Sequence, residues 1–267
     1  MKKKRLIAVL LLKDGNLVQA KNFKFYQNLG NPEQSVKRLS EWGSDELIYL
    51  DISQKKYDLG RDDLKYKSNF NMLEIIKRFS KLSFMPTTIG GKIKNLKDVE
   101  KRLLIGADKI SINSAALKKP ELISQIAKEF GSQSIVISVD VKKINNDYKI
   151  FYDCGKTQSN YSLKDWLKII YNNGAGELLI NSIDRDGSQK GYDINLLKIV
   201  TKDCKIPVIA LGGVGNFSHF YEGFKKTNID AAAAANIFQY SDQSVFLAKE
   251  FLYKKKIKVR QPTLLTI

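Results

Sequence analysis

The sequence predicts one α/β domain, a single (β/α)8 TIM barrel occupying residues 1–267. Eight short apolar runs alternate with amphipathic helical stretches from end to end, the repetition expected of this class. The 267 residues match the ~250 that one such barrel uses. The two halves also repeat one glycine-anchored pattern, as a duplicated half-barrel would.

The predicted strands are Leu6–Leu12, Leu47–Ile52, Met85–Ile89, Lys109–Asn113, Ser134–Val141, Glu177–Ser182, Pro207–Leu211 and Ala231–Ala235. They are continuous apolar runs, as parallel strands buried on both faces require. Helical spacing fills the gaps over Pro32–Trp42, Met72–Leu82, Leu96–Leu104, Pro120–Phe130, Leu163–Tyr171, Ile194–Val200, Phe217–Phe224 and Ser244–Leu252. Pro120 suits a first helical turn, and Gly43, Gly106, Gly131 and Gly174 suit left-handed positions past helix ends. Two insertions interrupt the pattern. Ser53–Phe70 is polar and basic. Lys142–Tyr161 contains the alternating Tyr148-Lys149-Ile150-Phe151-Tyr152, a small hairpin on the catalytic face.

Composition narrows the function. Hydrophobic residues make up 43% and charged residues 27%, which argues against a wholly disordered chain. Cys154 and Cys204 form no CxxC motif, so a reduced, cytoplasmic setting is expected. His219 is the only histidine; it reads as an exposed helix residue, and a multi-histidine zinc site is excluded. No metal or cofactor is expected. Leu6–Leu12 is too short to span a membrane, and no small-residue cleavage site follows it. The net charge is +17, with basic clusters at Lys2–Arg5, Lys55–Lys67 and Lys254–Arg260. No stacking-aromatic motif or zinc finger accompanies them, so no nucleic acid is expected. A lysine-rich solvated surface is the plain reading. A basic face for a phosphorylated ligand or an acidic partner protein is the other.

The repeat carries chemistry. Ile89-Gly90-Gly91 precedes Ala107–Asn113, and Leu211-Gly212-Gly213 precedes Asp230–Asn236. A Gly-Gly turn exposes backbone N–H groups to an anion, with no β-carbon in the way. The predicted phosphate contacts are Gly91, Lys92, Asn113 and Ser114 on one side, and Asp186, Gly187, Gly213 and Asn236 on the other. Tight turns that any barrel needs are the alternative. Asp140 ends the apolar run Ile135–Val139, where a carboxylate is costly to bury and so suggests proton transfer. Its repeat-mate in strand one is Leu11, which transfers no proton.

Several motifs resemble the cyclase subunit of imidazole glycerol phosphate synthase, the HisF family. They are Asp45–Asp51, Gly106–Asn113, Phe130–Ser134, Gly174–Glu177, and Ser182-Ile183-Asp184-Arg185-Asp186-Gly187 with Gly191-Tyr192-Asp193. The resemblance covers nearly the whole chain. It implies a glutaminase docked at the N-terminal end of the barrel, supplying ammonia through the axis. Two aspartates at the other end then process a bisphosphorylated ribulosyl-aminoimidazole. Asp140 matches one aspartate and Leu11 takes the place of the other. Lys92 replaces a family glycine, and Gln19 a mobile-loop lysine. Arg5, Glu46, Lys109 and Glu177 match the family's charged ring, implied to gate ammonia, and Asp108 matches a glutaminase contact. A buried salt-bridge cluster without a transport role is the plainer reading of the ring.

Val9–Gly15 with Lys21–Phe25 is similar to the HisF-like branch associated with acetamidino sugars. That narrower resemblance implies a HisH-like glutaminase and an ATP-dependent N-acetyl sugar amidotransferase as partners in surface-glycan synthesis. The expected function is an ammonia-conducting barrel subunit; the alternative is the cyclase of histidine biosynthesis.

Overall fold

The structure, a computed structural model, describes residues 3–53, 72–81, 85–240, 242 and 244–264. The insertion expected over 53–70 lies outside them, apart from Ser53, as does Leu82.

Twelve strands and nine helices are described. In the first half they are β1 (Arg5–Lys13), β2 (Asn16–Lys21), β3 (Phe25–Gly30), α1 (Pro32–Glu41), β4 (Glu46–Asp51), α2 (Met72–Ser80), β5 (Thr87–Gly90), α3 (Leu96–Leu104), β6 (Lys109–Ile112), α4 (Ser114–Lys118) and α5 (Glu121–Phe130). The second half holds β7 (Ile135–Ile144), β8 (Asp147–Tyr152), β9 (Thr157–Ser162), α6 (Leu163–Asn172), β10 (Glu177–Ser182), α7 (Ile194–Asp203), β11 (Val208–Leu211), α8 (Phe217–Lys226), β12 (Ala231–Ala234) and α9 (Val245–Lys254). Strands β1, β4, β5, β6, β7, β10, β11 and β12 pair in that order, and β12 pairs back to β1. All eight pairings are parallel, so the sheet closes into a (β/α)8 barrel.

Strands β1 and β7 lie opposite each other, with three strands between them either way round. Each extends past the rim into an antiparallel hairpin: β2–β3 follows β1, and β8–β9 follows β7. The second hairpin is the expected one. The first goes beyond the predicted strand, which stopped at Leu12. Its turn, Asp14-Gly15, has both residues at positive φ, 51° and 82°, the geometry favoured by two-residue hairpins. Asn145-Asn146 repeats it at 48° and 64°. The other shifts are local. Pro207 precedes β11 because it has no N–H to give a ladder, and Pro120 caps α5 instead of joining its first turn.

Two cores follow from the alternation of strand side chains. The larger lies between sheet and helices and includes Trp166, Phe220 and Phe238. The smaller fills the barrel with Ile7, Val9, Ile48, Val136, Leu179, Ile209, Ala231 and Ala233, and Leu11, Leu50, Leu211 and Ala235 pack against it. Six helices start on a side-chain cap (Asn31, Asn95, Ser162, Asp193, Asn216 and Ser244), each of which accepts a first-turn N–H. Such a cap is worth about 1 kcal/mol.

Candidate functional site at the two ends of the barrel

At the N-terminal end, β1, β4, β6 and β10 each bring one charged side chain onto the axis. Arg5 pairs with Glu46 and, at 3.0 Å, with Glu177. Lys109 Nζ lies 3.0 Å from Glu46 and 3.1 Å from Glu177. The four side chains form a closed cycle of alternating sign. Burial pulls the Arg5 guanidinium down, but Glu177 and Glu46 more than offset it, so its pKa is raised. Asp108 is exposed at the same end, and its Oδ2 accepts the Thr87 N–H at 2.8 Å.

At the C-terminal end the strands open into a cavity of about 270 Å³. One wall carries Asp140, which is 7% exposed. Asn113 Nδ2 donates to Asp140 Oδ2 at 2.7 Å, and Asn181 Nδ2 donates to Oδ1 at 3.2 Å. Burial pushes the Asp140 carboxyl up to about 7; Asn181 and Asn113 act against the rise, and the charge of Asp186 adds to it. The carboxyl can therefore give or take a proton near neutral pH. Leu11, on the opposite strand, lines the same cavity beside Leu50 and Leu211. No proton-transfer group stands at that position.

Three more carboxylates line the cavity, Asp51, Asp153 and Asp186, each of them engaged; Lys118 Nζ lies 3.0 Å from Asp153 Oδ2. Asp51 Oδ1 accepts the Ser53 N–H at 2.9 Å, and Lys92 Nζ lies 3.5 Å from Oδ2. Asp186 Oδ2 accepts the Phe23 N–H at 3.1 Å, so it holds the β2–β3 hairpin over the mouth. Burial raises the Asp186 pKa, against that hydrogen bond.

The predicted phosphate residues divide. Gly91, Lys92, Asn113 and Ser114 line the cavity, as does Asp186; Gly187, Gly213 and Asn236 are outside its lining. Asn236 Nδ2 instead donates to the Ala20 carbonyl at 3.1 Å, in the β2–β3 hairpin. A Cβ at Gly91 would stand 2.2 Å from the Asp51 carbonyl oxygen, and one at Gly213 2.2 Å from that of Gly191. Only glycine fits either turn. Lys92 takes a left-handed conformation, φ 53°. His219 is part-buried on α8, and its Nδ1 accepts the Gly215 N–H at 3.1 Å, which ties it to a loop and to no triad. Among the described residues no group of three or more His, Cys, Asp or Glu could hold a metal ion, and no helix is long and apolar enough to cross a membrane.

Sequence reasoning missed Asn181 as the second partner of Asp140 and the Lys92–Asp51 pair. The alternation of β10 offered a signal for Asn181, since Glu177, Leu179 and Asn181 share its inward face. Nothing local in the sequence marked the Lys92–Asp51 pair, whose members meet where β4 and β5 pair side by side.

The model of the histidine biosynthesis protein family matches residues 5–244. Among curated proteins, the imidazole glycerol phosphate synthase subunit HisF of Chlorobaculum parvum is 41% identical over 257 residues, covering 96% of this chain and 98% of the relative. The subunit of the same name from Natranaerobius thermophilus is 40% identical, and that from Hydrogenobaculum 39%, with the same coverage. The chain thus belongs to the histidine biosynthesis protein family and is a relative of HisF.

Proposed function

We propose that the chain is the barrel subunit of a glutamine-dependent amidation system. It docks a HisH-like glutaminase at its N-terminal end and receives ammonia through the ring of Arg5, Glu46, Lys109 and Glu177. It passes ammonia on for amidation of an N-acetyl sugar by an ATP-dependent amidotransferase, in the cytoplasm. One observation carries this reading: the inlet ring is closed, while Asp140 faces Leu11 across the outlet. A single carboxyl cannot both donate and remove protons from opposite sides of a ring-closing substrate. The acceptor sugar comes from the resemblance of Val9–Gly15 and Lys21–Phe25, and the geometry adds nothing to that choice.

A second reading is the cyclase of histidine biosynthesis. The names of the curated relatives favour it, and so does Asp140 with its two amide partners. Asp51, Asp153 and Asp186 border the same cavity, but Lys92, Ser53, Lys118 and Phe23 engage them. Rescue of a histidine-requiring strain that lacks its cyclase separates the two. The first reading expects no rescue, together with stimulated glutamine hydrolysis when the chain is mixed with its glutaminase. Full rescue would establish the second.

A further inference from the structure

Leu11 and Asp140 are repeat-mates, and a lysine follows each of them by two positions: Lys13 at the end of β1 and Lys142 on β7. Side chains two apart on a strand point to the same side, so both lysines stand on the inward face, above the C-terminal cavity. The hairpins repeat the arrangement. Lys24 lies in the turn between β2 and β3, and Lys156 in the turn between β8 and β9. Two successive left-handed residues open each turn: Asn22 and Phe23 at φ 53° and 57°, Asp153 and Cys154 at 51° and 58°. In each, the lysine N–H donates back across the turn, from Lys24 to the Lys21 carbonyl and from Lys156 to the Tyr152 carbonyl, both at 3.1 Å.

All four lysines line one outer cavity of about 790 Å³, above the one that holds Asp140. Asp14 is the single carboxylate of its described lining, and among the described residues none of the four lysines is paired with an acid. Lys13 rests over the Tyr26 ring, with Nζ 4.2 Å from its centre. Gly91 and Gly213 are outside this lining, so the Gly-Gly turns are a different place. The two cavities share a neck, since Phe23, Tyr26, Ile52 and Cys154 line both. Cys154 feels charge from either side: burial and then Asp140 raise its thiol pKa, and Lys156 acts against the rise.

Opposed pairs of cations around one space repel each other until an anion lies between them. Their twofold placement matches a group that carries charge on two linked centres. Lysine offers a point charge suited to phosphate oxygens, whereas arginine forks match carboxylates, and no arginine is among the described lining. We infer that the outer cavity is a binding site for a diphosphate group, held between Lys13 and Lys24 of one hairpin and Lys142 and Lys156 of the other. The site is separate from the predicted phosphate contacts and stands whichever reading of the function holds. It gives a role to part of the +17 charge. Two sources share this chemistry: a free diphosphate, and one carried by a sugar that reaches through the neck toward Asp140.

The test is calorimetric binding of inorganic pyrophosphate to the full chain at low ionic strength. One variant carries Lys24→Gln and Lys156→Gln, both exposed. A control carries Lys97→Gln and Lys164→Gln, which remove the same charge from the starts of α3 and α6, outside the cavity. Pyrophosphate should bind the parent at least ~10-fold more tightly than orthophosphate, and the turn variant should lose at least ~10-fold of that affinity. The control should match the parent. Circular dichroism checks that both fold. A nucleoside-diphosphate-linked N-acetylhexosamine separates the sources. Tighter binding than pyrophosphate, with slower alkylation of Cys154 by iodoacetamide, assigns the group to a sugar; binding no tighter than pyrophosphate assigns it to a free diphosphate; either upholds the site. No pyrophosphate binding, an unchanged affinity in the turn variant, an equal loss in the control, or orthophosphate binding as tightly as pyrophosphate would overturn the inference.

Discussion

The two ends of the barrel solve the problem of buried charge differently. In the ring at the N-terminal end each of the four charges has two opposite neighbours, and the cycle closes on itself. At the C-terminal end Asp140 has only neutral amides on one side and Leu11 across the axis. In the first arrangement two opposite neighbours offset part of the desolvation of each buried ion. The second leaves a carboxyl poised near neutral pH, with its would-be partner replaced by hydrocarbon. Paired charge is suited to a passage, and unpaired charge to proton transfer. On the proposed reading, this barrel has the first whole and only half of the second.

The sharpest way to break the contrast is to restore the missing acid. Leu11→Asp should raise cyclisation of the bisphosphorylated ribulosyl-aminoimidazole by ~10²–10⁴, the usual contribution of one positioned acid or base. Product formation with free ammonium measures it. A rate equal to that of the unmodified chain would show that another group already acts there.

Opening the ring probes the other end. Glu46→Gln leaves Arg5 and Lys109 each short of an anion, and should cost about 3 kcal/mol in urea unfolding, as for other broken buried pairs. If the ring is the proposed passage, glutamine-driven transfer should fall further than transfer from free ammonium.

Asp140 supplies a pH signature. Its carboxyl holds a proton up to about pH 7 in the folded chain, whereas an unfolded aspartate ionises near ~3.9. The unfolded state therefore binds fewer protons between these values, and stability falls as pH rises through that window. Asp140→Asn should abolish that fall. Above pH ~7 the variant should be the more stable chain, by on the order of 2–4 kcal/mol. Urea midpoints at pH 5 and 8 decide it; equal midpoint changes at both would place the Asp140 carboxyl at an ordinary pKa.

The smallest effect concerns the rim turn. Lys92→Gly relieves a left-handed lysine, worth about 1 kcal/mol, but removes the cation beside Asp51. Thermal stability should change little. Affinity for inorganic phosphate should drop roughly tenfold, the worth of one charged hydrogen bond.

Much of this contrast was legible in the sequence, and unequally so. The barrel was readable because eight continuous apolar runs admit few other arrangements. Resemblance nominated Arg5, Glu46, Lys109 and Glu177 as one ring; the parallel register turns all four inward at the same level. Asp140 and Leu11 were found as repeat-mates, and they do face one cavity. The β2–β3 hairpin escaped because a long apolar run drew the eye past Asp14-Gly15, itself a hairpin dipeptide. Its presence draws Asn236 and Asp186 toward backbone partners. Pairs between residues far apart in the chain, such as Lys92 with Asp51 and Lys249 with Asp45, leave no local trace.

The central claim is that the ionic ring at the N-terminal end is complete, while Leu11 stands across the C-terminal cavity from Asp140. It is tested most directly by giving the unmodified chain saturating ammonium and the bisphosphorylated substrate, with no glutaminase present. The account predicts cyclisation at least ~10² slower than by the Chlorobaculum parvum relative under the same conditions. Turnover at the relative's rate would contradict it.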